Sequence, residues 1–376
     1  MEHRAKYITN LTPLRGVAAL LVAVFHFEMA IARFVPAQQT MFFEKCYLMV
    51  DLFFIMSGFI ILHVYKDDFV DRIQWNTVKK YMVARFARIY PLHFFSLLLL
   101  VLLVITFSPP GTYPNPIENP WAIPTGFLLL HSYYIHKIYT WNIPSWSISA
   151  EWAAYLLFPV LALFLSKRKL FAVITLGLGV ILAYVSIMYL LPRRNYLYPS
   201  VPVPHNLNTT YDYGYLRGIA GFALGMIVYK MYQLPTLKNL FQKDITSLLI
   251  TFLLVLAMHF ALNDAICVSL FATMVLGFSL NNGKLHKLCN MRLVQYVGKI
   301  SYSIYLMQIF LQEPFSKGLR LPGVIGYGRG RQNIEFASGF MFCLIYLVLL
   351  LWISSITYYV VEQPCRRFIN RVGGNA

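Results

Sequence analysis

Residues 12–33 read TPLRGVAALLVAVFHFEMAIAR, a run of apolar side chains that Arg15 and His26 interrupt. A helix of about 20 apolar residues is long enough to cross the ~30 Å hydrocarbon core of a bilayer. The stretch is therefore predicted to be a membrane-spanning helix. It lacks the small-residue cleavage site of a secretory signal peptide, so we expect it to remain in the mature protein.

The composition of the whole chain agrees with this first stretch. Of 376 residues, 58% are hydrophobic and only 12% are charged, whereas soluble domains carry about 25% charged residues. This excludes a soluble multidomain enzyme. The net charge of +17 does not indicate nucleic-acid binding, because basic residues in a membrane protein set its orientation. We predict a multi-pass protein of the cell membrane, with the lipid bilayer as a partner and no nucleic acid.

Ten apolar blocks are predicted to cross the membrane. The fold class is therefore predicted to be an all-α polytopic membrane protein with about ten transmembrane helices. The blocks are residues 12–33, 44–65, 90–107, 146–165, 170–190, 214–232, 246–261, 265–281, 296–314 and 337–361.

A further block at 121–135 is shorter and contains Pro124, Gly126 and His131. Cytoplasmic loops of membrane proteins carry an excess of Lys and Arg. Most of the 32 Lys and Arg residues fall on the side of both termini only if this block does not cross. We predict that 121–135 is re-entrant or interfacial, that both termini are cytoplasmic, and that residues 1–376 form one membrane domain without an appended soluble domain.

The five cysteines show neither CxxC nor Cys/His spacing, and the isolated histidines show no ligand spacing. A free thiol in an apolar block behaves as a small hydrophobic side chain. We therefore expect no disulfide framework, no metal site and no permanently bound cofactor.

Arg15 and His26 are eleven residues apart. At about 100° per residue this spacing places both side chains on one helix face, about 16 Å apart along the axis. Two interpretations stay open. Arg15 could extend to the membrane surface while His26 forms a buried hydrogen bond, or the two could line one wall of a functional cavity.

Asp51, Glu151 and Gln308 are predicted to lie at a depth similar to that of His26, about 7–11 Å below the outer surface. Ionisable side chains inside spans usually face a cavity or one another. A histidine beside carboxylates suits a general base, with Asp51 or Glu151 orienting the ring. The same residues would also suit the proton relay or cation site of a transporter.

Arg85 and Arg88 precede Pro91, which is predicted to begin the third span. Their i,i+3 spacing places them on one face of a helix. Two guanidinium groups at a cytoplasmic mouth can bind a phosphate or pyrophosphate bidentately. The alternative is an ordinary cluster of cytoplasmic basic residues.

Taken together and in this order, the polar motifs resemble the acyltransferase 3 family of integral membrane acyltransferases, over nearly the whole chain. The motifs are Arg15-x10-His26, VDLFFIMSGF at 50–59, Arg85-x-x-Arg88-Ile-Tyr-Pro91, WSISAE at 146–151, Arg217 before Gly221 and Gly225, GKISYSIYL at 298–306, and VEQP at 361–364.

The resemblance implies an O-acetyltransferase type of enzyme that moves an acyl group from cytoplasmic acyl-CoA to a hydroxyl on the far side of the membrane. It implies that His26 is the catalytic base and that Arg15, Arg85 and Arg88 serve donor binding. The ninth span departs from the family, which commonly has histidine where this chain has Gln308.

The expected donor substrate is acetyl-CoA, and the expected acceptor is an exported or surface carbohydrate or a glycolipid. Two alternatives remain at the sequence level. One is acylation of a small natural product such as a macrolide, and the other is a proton-coupled transporter or flippase in which His26, Asp51 and Glu151 form the coupling site.

Overall fold

The computed structural model of the protein describes residues 8–107, 119–167, 169–193, 203–312 and 335–374. Regular secondary structure is helical throughout these ranges, which contain no β-strand. The prediction of an all-α fold is therefore confirmed for the described part of the chain.

The described residues form fifteen α-helices. They are α1 Leu11–Ala30, α2 Met49–Tyr65, α3 Trp75–Phe107, α4 Ile123–Phe127, α5 Trp146–Lys167, α6 Lys169–Val185, α7 Gly214–Tyr232, α8 Pro235–Phe241, α9 Asp244–His259, α10 Asp264–Leu280, α11 Lys284–Cys289, α12 Arg292–Lys299, α13 Ser301–Met307, α14 Phe336–Thr357 and α15 Gln363–Val372. A π-helical turn, Tyr358–Glu362, joins α14 to α15.

Six helices of the described chain are long and apolar enough to cross a membrane, or up to seven if the bent pair α8 and α9 counts as one span. The helices predicted at 214–232, 265–281 and 296–314 are not among them. α7 carries Arg217 and Lys230, α10 has 17 residues, and the last of the three is interrupted. The protein thus has the helices of a membrane protein, and ten spans with cytoplasmic termini stay a prediction.

Two predicted spans differ in their boundaries from the observed helices. α3 begins at Trp75 and continues through Pro91, so its helix is longer than the predicted span 90–107 and includes Arg85 and Arg88, as their predicted shared helix face requires. Residues 75–90 contain no glycine or proline and are rich in good helix formers, which explains the earlier start. The predicted span 296–314 is not one helix either, because the chain breaks at Ile300 between α12 and α13.

Residues 121–135 contain only the end of a three-residue 3₁₀ turn and the five-residue helix α4. A helix of five residues is about 7.5 Å long and cannot cross a bilayer. The segment packs against α3, where Phe127 contacts Phe94 and Ala122 joins Leu97 in a small apolar cluster. Its depth in a membrane stays a prediction.

The chain divides into two compact units, each assembled from separate stretches of sequence. In the described chain, the first unit comprises residues 54–235 and 361–374. Its helices α2, α5 and α7 pack closely: a Cβ atom at Gly58 would overlap the Phe222 carbonyl, and one at Gly225 would overlap the Ile55 carbonyl. Small residues that allow backbones to approach are typical of helix contacts in membranes.

The second unit comprises residues 8–53 and 236–360. Helix α1 packs against α12, α13 and α14, while α9 and α10 form an antiparallel pair. Gly298 faces the backbone of Thr12, where a side chain would clash. The amide of Asn10, just before α1, donates to the carbonyls of Phe278 and Asn281, each at 2.9 Å. These contacts fix α1, which carries Arg15 and His26.

Candidate functional site

Arg15 and His26 lie on one uninterrupted helix. α1 runs from Leu11 to Ala30 without a break, so the helical geometry assumed for the pair holds. The two side chains project from about the same face and are separated by about 16 Å along the axis.

The imidazole of His26 contacts the side chain of Gln308. The distance from His26 Nδ1 to Gln308 Oε1 is 3.1 Å. Gln308 is fully buried, and its Nε2 donates to the Tyr305 carbonyl at 2.8 Å. This second bond directs the amide oxygen of Gln308 towards His26, because the amide nitrogen is already used.

The contact with Gln308 decides which nitrogen of His26 carries the proton. An amide oxygen only accepts hydrogen bonds, so Nδ1 must be the donor. The lone pair then lies on Nε2, which is the form of imidazole that can accept a proton from a substrate. Sequence reasoning proposed Asp51 or Glu151 for orienting the ring. Both stay predictions as catalytic carboxylates, and Gln308 is the residue that the structure places on Nδ1.

Asp51 and a cluster that sequence reasoning missed lie in the same unit as His26. Asp51 is fully buried in the first turn of α2. Asp264 is also buried and accepts hydrogen bonds from Lys45 Nζ at 2.5 Å and from the Tyr47 hydroxyl at 2.8 Å. The ring of Tyr47 packs edge-on against Phe25. The paired carboxylate of Asp264 therefore fixes an aromatic side chain beside the residue that precedes His26.

Arg85 lies in the first unit, where its guanidinium contacts the faces of two aromatic rings. Its Cζ atom is 5.4 Å from the ring centroid of Tyr65 and 5.9 Å from that of Tyr155. In the described part of the chain its only hydrogen bond is a long one, 3.4 Å from Nη2 to the Tyr65 hydroxyl. Among the described residues Nε has no partner and the guanidinium forms no ion pair. Arg85 is thus a cation without a neutralising carboxylate in this part of the chain.

Arg88 has different surroundings, although it lies less than one turn away. It forms an ion pair with Glu362, whose side chain is only 2% exposed. Glu362 precedes α15, so this pair ties α3 to the last helix of the first unit. Sequence reasoning treated Arg85 and Arg88 as equivalent, and the structure separates them.

Glu151 accepts two hydrogen bonds on one oxygen. Ser57 Oγ donates to Glu151 Oε1 at 2.8 Å, and the Tyr155 hydroxyl donates to the same atom at 2.5 Å. Sequence reasoning missed both donors. The i,i+4 spacing of Glu151 and Tyr155 was the signal that could have identified one of them.

The helix that carries Glu151 is anchored near its first turn. Ser149 Oγ donates to the Leu129 carbonyl at 2.5 Å and lies 2.8 Å from Ser132 Oγ. Leu129 has a φ of 57°, a left-handed conformation that is costly for a branched side chain. The buried hydrogen bonds of the Ser149 hydroxyl stabilise the backbone at Leu129 and connect it to the start of α5.

Comparison with known proteins shows a family match over most of the chain. The family model for acyltransferase 3, described as an acyltransferase domain, matches residues 8–359. No solved structure matches. The chain is 33% identical over 167 residues to "Acyltransferase MdmB" of Streptomyces mycarofaciens, which covers 43% of this chain and 40% of that protein.

Two further curated relatives show similar partial matches. "Peptidoglycan O-acetyltransferase OatA" of Listeria monocytogenes is 23% identical over 201 residues, which is 50% of this chain and 30% of that protein. "Protein 2 in picA locus" of Rhizobium radiobacter is 34% identical over 129 residues, which is 31% of this chain and 61% of that protein. Each match thus spans less than two thirds of the relative. Because the family model covers nearly all of the sequence, the chain belongs to the acyltransferase 3 family.

Proposed function

We propose that the protein is a membrane acyltransferase that moves an acyl group, acetyl by default, from acyl-CoA to a hydroxyl of an exported or surface carbohydrate. Membership of the acyltransferase 3 family supports the reaction class. The name of the Listeria relative, a peptidoglycan O-acetyltransferase, supports a carbohydrate hydroxyl as the acceptor. The proposal includes ten spans in the cell membrane, both termini in the cytoplasm, and a donor that arrives from the cytoplasmic side.

The observation that carries the proposal is the bond between His26 and Gln308. With the proton held on Nδ1, Nε2 takes the proton of the acceptor hydroxyl while that oxygen attacks the thioester carbonyl. The carbon–sulfur bond then breaks, the acyl group remains on the acceptor oxygen, and the imidazolium returns its proton to the CoA sulfur. A positioned general base of this kind contributes about 10²–10⁴-fold to a rate.

The cationic side chains are proposed to hold the donor. CoA carries several phosphates, and arginine binds phosphate bidentately. Arg15 lies about 16 Å along α1 from His26, about the reach that a phosphopantetheine arm needs between its phosphates and its thioester. Arg85, without an ion-pair partner in the described chain, supplies a second cation. Arg88 is proposed to contribute less, because Glu362 already neutralises it.

The test is an acyl-transfer assay with the purified protein in lipid nanodiscs. Radiolabelled acetyl-CoA is supplied together with peptidoglycan fragments, bacterial polysaccharide, glycolipid extract or a macrolide. We expect label to appear on a carbohydrate hydroxyl. Label on the macrolide alone would replace the proposed acceptor with a small natural product. Absence of label on all of them, together with proton-coupled substrate uptake into vesicles, would refute the proposal and favour a transporter.

A further inference from the structure

Tyr155 contacts two side chains to which the sequence assigns different roles. Its hydroxyl donates to Glu151 Oε1 at 2.5 Å and lies 3.4 Å from Ser57 Oγ. Its ring centroid lies 5.9 Å from Arg85 Cζ. A cation over an aromatic face is attracted by the electrons of the ring. The hydroxyl of Tyr155 therefore contacts the Glu151 carboxylate, and its ring contacts the Arg85 guanidinium.

The position of Tyr155 is closely defined by its neighbours. The side chain is 3% exposed, and its ring packs edge-on against Phe222. The Tyr81 hydroxyl donates to the backbone carbonyl of Tyr155 at 3.1 Å. Buried, close-packed side chains occupy few rotamers. Tyr155 is thus a closely packed side chain that contacts both Arg85 and Glu151.

Resting on the proposed acyltransferase function, we propose that Tyr155 is a positioning residue that links donor binding at Arg85 to the orientation of Glu151. The ring holds the Arg85 guanidinium where it can bind a phosphate of the donor. The hydroxyl, together with that of Ser57, holds the Glu151 carboxylate in one orientation. In this proposal Tyr155 affects the reaction only through Arg85 and Glu151.

Two substitutions test the hydroxyl and the ring of Tyr155 separately. Tyr155→Phe keeps the ring beside Arg85 and removes the donor to Glu151. We expect kcat to fall by about 10- to 150-fold, since hydrogen bonds to charged groups are worth about 1.5–3 kcal/mol, while the Kd for CoA stays within twofold. Tyr155→Leu removes the ring as well. We expect the Kd for CoA to rise by about 3- to 30-fold, because cation–π contacts contribute about 0.5–2 kcal/mol.

Ser57→Ala provides a second test if a Tyr155 variant does not fold. It removes the other donor to Glu151 and should lower kcat with the Kd for CoA unchanged. Tyr229→Phe is the matched control, because Tyr229 is 2% exposed and its hydroxyl accepts from Gln233 at 3.3 Å, with no contact to Glu151 or Arg85. Both constants should stay within twofold of the parent protein in this control.

Kd for CoA is measured by calorimetry and kcat by the release of free CoA, on variants that elute as the parent does in gel filtration. An unchanged kcat in both Tyr155→Phe and Ser57→Ala would overturn the link to Glu151. CoA binding by Tyr155→Leu as tight as that of Tyr155→Phe would overturn the link to Arg85. Both results presuppose transfer by the parent protein. A parent that binds no CoA and transfers no acyl group would instead refute the proposed function.

Discussion

Replacing Arg85 and Arg88 one at a time should give opposite results, although both are arginines on the same helix. Arg85→Ala removes a guanidinium that has one 3.4 Å hydrogen bond and no ion pair in the described chain. The folded protein then loses mainly the two cation–π contacts, each of which contributes about 0.5–1 kcal/mol to its stability. The free energy of binding a phosphate becomes less favourable by about 1.5–3 kcal/mol, the value of a charge-assisted hydrogen bond. We therefore expect CoA to bind about 10- to 150-fold more weakly and the protein to remain nearly as stable.

Arg88→Ala should instead lower the stability of the folded protein. The change leaves Glu362 as a buried carboxylate without its cation, and breaking a buried pair in this way costs about 3–5 kcal/mol. Because the Arg88 side chain is 14% exposed, we expect the lower end, about 3 kcal/mol. The midpoint of thermal denaturation should fall by a few degrees, and CoA affinity of the folded fraction should change less than in Arg85→Ala.

Calorimetry with CoA and thermal denaturation in nanodiscs check these two results. Arg85→Lys is the matched variant, and it should recover CoA binding only in part, because lysine lacks the planar fork that binds a phosphate bidentately. Combining Arg88→Met with Glu362→Leu should restore stability, since it removes both buried charges. CoA binding by Arg85→Ala at parental affinity, or parental stability of Arg88→Ala, would contradict the reasoning.

Three further predictions concern the base and the topology. His26→Ala should lower turnover by about 10²–10⁴-fold while CoA affinity stays within a few-fold, and near-normal turnover would exclude His26 as the base. Gln308→Leu should lower kcat by about 3- to 10-fold, because the Nδ1 donor loses an acceptor worth about 1 kcal/mol; calorimetry should show unchanged CoA binding, and an unchanged kcat would show that Gln308 does not orient the ring. With Cys365, the one partly exposed cysteine, replaced by serine, single cysteines introduced at 66–80 or 284–292 should react only with permeant thiol reagents and those at 203–210 with impermeant ones. Labelling of 284–292 from outside would contradict the proposed topology.

The sequence was sufficient where a contact depends on local helical geometry. The spacing of Arg15 and His26 predicts a shared helix face because a helix repeats every 3.6 residues, and α1 is continuous over both. The i,i+4 spacing of Glu151 and Tyr155 is of the same kind and would have predicted their contact, although sequence reasoning did not use it. The helical segment before Pro91 that carries Arg85 and Arg88 is of this kind too, and the structure joins it to the predicted span in one helix that continues through the proline.

Contacts between distant parts of the chain could not be predicted in this way. Gln308 is 282 residues from His26, and Glu362 is 274 residues from Arg88. Each contact depends on how helices pack and on which way each helix faces, and neither is encoded in a single hydrophobic pattern. Sequence reasoning therefore named the imidazole and the two arginines and proposed Asp51 or Glu151 for orienting the ring, but it did not identify the Gln308 amide that contacts Nδ1.

The two arginines show how small a rotation separates a cation proposed to bind the donor from a cation held in an ion pair. Three residues along a helix amount to about 300°, so Arg85 and Arg88 point about 60° apart and are separated by about 4.5 Å along the axis. That difference directs Arg85 towards Tyr65 and Tyr155. Arg88 is directed towards Glu362.

A buried cation must be compensated by its surroundings. The Glu362 carboxylate neutralises the charge of Arg88, so Arg88 attracts a phosphate only weakly. Aromatic faces compensate Arg85 only in part, because a cation–π contact is weaker than an ion pair. The charge of Arg85 thus remains available to an anion, and we propose that Arg85 of the R-x-x-R motif binds the donor while Arg88 stabilises the fold.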